Sequence, residues 1–388
     1  MRTQTQPGTF GSPGAARPLA LAALLALILT ALLASSVFAQ EPVRGRWFLD
    51  LPPIDGEVEL ALHRKSGRSG SWQSSFDVPL AALRGFAPPS SAADVPVHFQ
   101  LVRDAGTFQF DGHADRRGAS GSFDFTADRA FGDEMRRAHG ELSTDKLYSL
   151  ALHDVSRSFI RELGALGYEG LSIDSLLKMR IHGADPAFIR ELQSLGYDRL
   201  SADDLVKMRI HGATPEFVRE MRAMGYEKLS ADELVKMRIH GATPEFVREM
   251  RAMGYEDLFA DDLVKMRIHG ATPEFVREMR AMGYQKLSAD DLVKMRSHGA
   301  TPEFVRSLQG LGYSALDTDA LVRMRIHGVS PEYIRELKTL GYPRVDADEL
   351  VRMRIHGVTP EFIRKMNARE GETLSPQDLI SLRIHRRS

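Results

Sequence analysis

The chain contains no cysteine in its 388 residues. Disulfides, thiolate metal sites and a lipid-modified N-terminal cysteine are therefore excluded. Its stability has to come from packing alone. Tryptophan occurs only twice. An excess of one charge is also missing: 51 lysines and arginines face 52 aspartates and glutamates, a formal net charge of −1. That balance supplies no strong field for nucleic acid or an anionic membrane surface, so no nucleic-acid partner is expected. No H-E-x-x-H, C-x-x-C or glycine-rich phosphate loop occurs, and no cofactor is expected.

Long apolar runs are missing too, with one exception. Residues 19–33 follow Arg2 and Arg17 and lead into SSVFAQ, with Val37 and Ala39 at the small-residue positions of a cleavage site. Residues 1–39 read as a signal peptide cut after Ala39, giving a periplasmic or secreted protein. The alternative is an uncleaved anchor, because residues 19–38 are just long enough to span a bilayer. The membrane is a partner only in that case.

Residues 40–126 form a second segment, a short lead (40–45) and then a stretch, 46–126, that alternates apolar and polar with period two: Val58, Leu60 and Leu62; Val97, Phe99 and Leu101; Phe108 and Phe110; Phe123 and Phe125. Turn-rich stretches (RKSGRSGS, RDAG, RRGASG) separate these runs. With RWFLDL and SWQSSFDV they predict six antiparallel strands forming a small curved sheet or partly closed barrel. The aromatic residues Trp47, Trp72, Phe99, Phe108, Phe110 and Phe123 are expected in its core.

Residues 127–388 carry a repeat of about nine units. Nine histidines, from His153 to His385, stand 29 residues apart, and residues 206–226, 235–255 and 264–284 are identical. Ser201 caps one helix, Leu200 and Leu205 form a hydrophobic staple, and Ser230 with Glu233 forms a capping box. The helix stops at Gly212. Thr214 and Pro215 open a second helix, which Gly225 ends with Tyr226 packing back. Helices this short need neighbours to be stable. The fold class is thus α+β: a small antiparallel β domain followed by an α-solenoid of two-helix repeats. Phe259 stands where a capping serine belongs, so that helix start is weaker or Phe259 is a contact residue.

The periodic polar residues read as structural columns. Solenoid layers lie about 8–10 Å apart, too far for adjacent histidines to share a metal ion. His182, His211, His240, His269, His298, His327 and His356 are expected to place their imidazoles on the last helix carbonyls, with no metal. The arginines Arg209, Arg238, Arg267 and Arg296 fall on an apolar helix face. They are expected to pair with the Pro-Glu glutamates Glu216, Glu245, Glu274, Glu303, Glu332 and Glu361 in a register-fixing ladder. Met208, Met221 and Met224 read as core. The pairs after each Gly-Tyr vary: Glu227 and Lys228, Glu256 and Asp257, Gln285 and Lys286, Ser314 and Ala315. They are tolerant turns or a binding surface.

The repeat MRIHGATPEFVREMRAMGY with its LSADELVK connector resembles a helical repeat of exported or membrane-linked bacterial proteins. It is similar to the tails of some proteins that carry a beta-lactam-sensor type membrane metallopeptidase. The segment VPVHFQLVRDAGTFQFDG, followed by GSFDF, resembles what precedes the repeats there. The peptidase itself is missing, with neither a zinc-binding helix nor a multi-span region, so its activity does not carry over. The function expected is non-catalytic binding or scaffolding in the bacterial cell envelope, with another envelope protein as partner. The alternatives are an enzyme or small-ligand site in the β domain, built from His63, His98, His113, Asp104 and Asp111, and a membrane-tethered regulatory module.

Overall fold

A computed structural model describes residues 43–66 and 70–385; residues 1–39, expected from sequence to be a signal peptide, lie outside them. No helix among the described residues is long and apolar enough to cross a membrane. The chain divides into two compact units, Met1–Arg180 and Ile181–Ser388.

The first unit is built on seven antiparallel strands: β1 (Val43–Asp50), β2 (Glu57–Ser66), β3 (Gly70–Pro79), β4 (Leu83–Arg84), β5 (Val95–Arg103), β6 (Gly106–Asp115) and β7 (Gly118–Ala127). Their order is β3-β2-β1-β7-β6-β5-β4, a curled sheet with β3 and β4 as its edges. Alternation puts Trp47, Leu60, Phe99, Phe108, Phe110 and Phe123 on one buried face. At Gly112 and Gly121 the β6 and β7 backbones approach closely. A Cβ on Gly121 would sit 1.9 Å from the Asp111 carbonyl oxygen, which is why the position takes glycine. Beside this point the buried Trp47 indole donates to the Asp111 and Ser122 carbonyls at 3.2 and 3.1 Å. Trp72 departs from the expectation of a core residue. It lies on the edge strand β3 and is 65% exposed, because an edge strand has a neighbour on one side only.

Helix begins at Arg129, where the Asp128 carboxylate accepts from the Phe131 amide at 2.7 Å. The helix Thr144–Leu152 lays Tyr148 against the Phe108, Phe123 and Phe125 rings. Asp154 stands where later repeats have glycine and adopts φ +52°, a conformation aspartate tolerates. Its carboxylate bridges Arg103 at 3.0 Å and Arg180 at 3.3 Å.

The second unit alternates two kinds of helix. The histidine-bearing A helices are Ala202–Ile210, Ala231–His240, Ala260–His269, Ala289–Ser297, Thr318–Ile326, Ala347–Ile355 and Pro376–His385. The B helices, opened by proline, are Pro186–Ser194, Pro215–Ala223, Pro244–Ala252, Pro273–Ala281, Pro302–Gly310, Pro331–Thr339 and Pro360–Glu370. Each A helix packs on the next A helix and each B helix on the next B. The core of one repeat is Leu234, Val235, Met237, Phe246, Val247 and Met250, all 5% exposed or less. Helix ends follow the serine and glycine signals. Ser230 and Glu233 form the capping box, and Ser201 forms the same box with Asp204. Gly212, at φ +70°, and Ala213 return their amides to Arg209 and Met208. Gly225 and Tyr226 do so to Arg222 and Met221, a Schellman closure at both ends.

Two side chains tie each repeat to its neighbours. The Tyr226 hydroxyl donates to the Leu258 carbonyl at 2.8 Å, 32 residues ahead. The same bond joins Tyr197 to Leu229, Tyr255 to Leu287, Tyr284 to Leu316, Tyr313 to Val345 and Tyr342 to Leu374. In the other direction Arg251 donates to the Met224 carbonyl at 2.6 Å, 27 residues back. Gln309 and Lys338 make the equivalent bonds, to Met282 and Leu311. The acceptor is backbone, so any long donor serves.

Candidate interaction surface

The arginine column makes a different contact from the expected ladder. Arg209 lies over the Phe188 ring at 4.9 Å, Arg238 over Phe217 at 5.2 Å, Arg267 over Phe246 at 5.1 Å and Arg296 over Phe275 at 5.2 Å. Each ring belongs to the preceding repeat. The guanidinium also closes the end of the preceding A helix: Arg209 Nε donates to the His182 carbonyl and Arg267 Nε to that of His240, both at 3.4 Å. These bonds are long, and Arg296 and Arg354 have no acceptor for Nε among the described residues. The ring contact is therefore the constant element. Glu216 points to solvent on its own helix and pairs with Arg219 at 3.1 Å; Glu245 does so with Arg248 and Glu274 with Arg277. An inter-repeat ladder does exist, but it uses other residues: Arg219 to Glu191, Arg248 to Glu220, Arg277 to Glu249 and Arg364 to Glu336. All are exposed and each is worth little.

Glu216, Glu245, Glu274, Glu303, Glu332 and Glu361 titrate below the ordinary 4.5, held down first by their own helix-N-terminal amides. A lowered carboxylate pKa adds stability above the unfolded value and loses it as pH falls through the folded one. The thermal midpoint is therefore expected to drop as pH falls below about 4.5. Replacing three of these glutamates by glutamine should flatten that drop in melts recorded against pH.

The histidine rings do not cap. His182, His211, His240, His269 and His298 are exposed, and no column imidazole among the described residues bonds a terminal carbonyl. The carbonyls are already taken by the glycine and alanine amides that follow. The histidine backbone serves instead, as the C-cap residue at His211, His298, His327 and His356. One ring has a side-chain partner: His269 Nδ1 meets the Ser297 hydroxyl at 2.9 Å. Among the described residues no group of three histidines and carboxylates is placed to hold a metal.

A row missing from the sequence reading stands beside the histidines. Ile181, Ile210, Ile239, Ile268, Ile326, Ile355 and Ile384 are 43–55% exposed. Position 297 breaks the row with serine. Ile210 looks like part of the apolar face, but at 3.6 residues per turn it lies about 160° from Met208 and about 60° from Lys207. That angle is the signal that finds it.

The variable pairs Glu227 and Lys228, Glu256 and Asp257, Gln285 and Lys286, and Ser314 and Ala315 are all exposed, on the connectors between B and A helices. The first two pairs line one cleft of about 830 Å³ together with Tyr226, Arg251 and Phe259. Phe259 occupies the cap position without a side-chain bond and is 77% exposed.

In the sheet, His98 and Asp111 face each other across β5 and β6 at 2.6 Å, both well exposed. The other candidates do not converge on them. His63 lies beside Phe48 on β2, Asp104 accepts from the Arg157 amide, and His113 sits opposite Pro96 and Ser120. Compared with known proteins, the chain matches no protein-family model and no curated sequence.

Proposed function

We propose that this protein is a non-catalytic binding or scaffold protein of the bacterial cell envelope, which engages another protein along the isoleucine row of its repeats. The observation that carries this is the row itself. A single exposed isoleucine needs no explanation, but seven at one repeat position, four on successive helices and three more beyond Ser297, make an apolar row broken once. Finishing the burial of half-exposed isoleucines contributes roughly 1 kcal/mol each. Several together offset the cost of association. The Arg-flanked apolar run before Ala39 and the resemblance to exported repeat proteins support the location. A balanced charge favours a protein partner over nucleic acid.

Site-specific photo-crosslinking in the native envelope tests this reading. With the crosslinker at Ile239 or Ile268 a discrete heavier adduct is expected; at Glu220, on the outer face of a B helix, none is. Equal adducts from Glu220, or none from the isoleucines, would reject the row as the binding edge.

A further inference from the structure

Phe259 stands at a helix cap position without a side-chain bond and leaves its ring exposed. The eight sibling positions, Ser143, Ser172, Ser201, Ser230, Ser288, Asp317, Asp346 and Ser375, each supply a side-chain oxygen to the first turn. Phe259 supplies none: its amide donates to the Asp262 carboxylate at 3.2 Å, and the Asp262 amide turns to the Phe259 backbone carbonyl at 3.0 Å in place of a capping oxygen. Its ring is left 77% in solvent. The missing side-chain cap weakens this helix start relative to its siblings, and burial of the ring does not offset it.

The surroundings of this ring are also distinctive. The cleft it borders is floored by Tyr226, whose hydroxyl is engaged by Leu258 and whose ring is covered by Arg251 at 5.6 Å. Arg251 is committed as well, to the Met224 carbonyl. Around the rim stand Glu227, Glu256, Asp257 and Asp261, none in an ion pair among the described residues. Of the two cations lining the cleft, Lys228 and Arg251, only Lys228 is without a partner among the described residues. At the next connectors the corresponding pairs are Gln285 and Lys286, then Ser314 and Ala315. Among the described residues, an exposed aromatic and a surplus of carboxylates outside ion pairs coincide at this connector alone.

We propose that this cleft is a docking site for a short basic segment of a partner protein that carries a bulky apolar side chain. The apolar group would pack on Phe259 and Tyr226. Flanking arginines or lysines would meet the rim carboxylates and the Phe259 face. An exposed aromatic in a cleft with a polar rim is the usual make-up of a binding hot spot. The proposal is independent of the isoleucine row: Phe259 starts the helix on which Ile268 lies roughly 14 Å further along, so either site can fail alone.

The Phe259→Ser exchange restores the sibling cap, so a folding failure cannot imitate the result. Fluorescence anisotropy on the full chain would use a labelled Arg-Arg-Trp-Arg-Arg peptide, with Glu-Glu-Trp-Glu-Glu and Arg-Arg-Gly-Arg-Arg as controls. The first peptide is expected to bind at least about tenfold tighter than either control, and more weakly in high salt. F259S should weaken it by about tenfold or more while raising the thermal midpoint. The double exchange E256Q/D257N should weaken binding and flatten its salt dependence. Equal binding of all three peptides, or binding undiminished by F259S, would overturn the proposal. So would a dimer in sedimentation that F259S dissolves, which would give the cleft to a second copy of the chain.

Discussion

Phe246→Ala is expected to destabilise the repeat array by about 3–5 kcal/mol, and Arg267→Ala by about 1 kcal/mol or less. The two residues touch, so the comparison asks which of them holds the repeats together. Phe246 is 5% exposed, packed in the shared core of its repeat and beneath the Arg267 guanidinium of the next. Truncating it removes a ring's worth of burial and leaves a cavity whose walls cannot fully collapse. Removing Arg267 loses one ring contact and one 3.4 Å bond to the His240 carbonyl, too long to contribute much. Phe246→Leu keeps most of the volume and loses the ring, so its cost should lie between the two. Urea melts of the three variants check the order. If Arg267→Ala costs more than Phe246→Ala, the arginine column rather than the apolar core joins the repeats.

Much of this architecture is legible in the sequence because its signals are local. Serine, proline and glycine fix where each helix starts and stops, and the structure places caps at Ser201, Thr214 and Ser230 and left-handed glycines at Gly212 and Gly225. The sheet's strands follow from period two, since alternation depends only on one strand and one core. What needs the third dimension is not legible. The strand order that leaves Trp72 on an edge depends on non-local pairing. The partner of Arg209 depends on the offset between layers: Glu216 is seven residues away in sequence, but the guanidinium reaches back to Phe188. Asp204 closes the same box as Glu233, but its shorter side chain meets the Ser201 amide at 3.3 Å where Glu233 meets that of Ser230 at 2.8 Å.

The candidate surface was half legible. The varying pairs after each Gly-Tyr, and the misplaced Phe259, stand out against a constant repeat. That Glu227, Glu256 and Phe259 border one cleft requires two repeats to be stacked. The isoleucine row was readable in principle from the helical wheel, but an apolar residue beside Met208 is easily assigned to the core by type alone.

The repeats form a stack of interchangeable layers, each locked to its neighbours by backbone-accepting bonds. Deleting residues 206–234, one full period, tests this most directly. The deletion joins Leu205 to Val235 and regenerates an unbroken repeat. Each lock re-forms with an equivalent partner: Tyr197 finds Leu258 in place of Leu229, and Arg251 finds Leu195 in place of Met224. In a one-dimensional stack only one unit and one interface are lost. Deleting residues 212–226 instead removes a single B helix, sets two A helices in succession and leaves Tyr197 and Arg251 out of register with their acceptors. Circular dichroism melts of the two deletions should show a folded, cooperative, slightly less stable protein for the full period and loss of the cooperative transition for the half. Unfolding by the full-period deletion, with the half-period deletion tolerated, would contradict the stacked architecture.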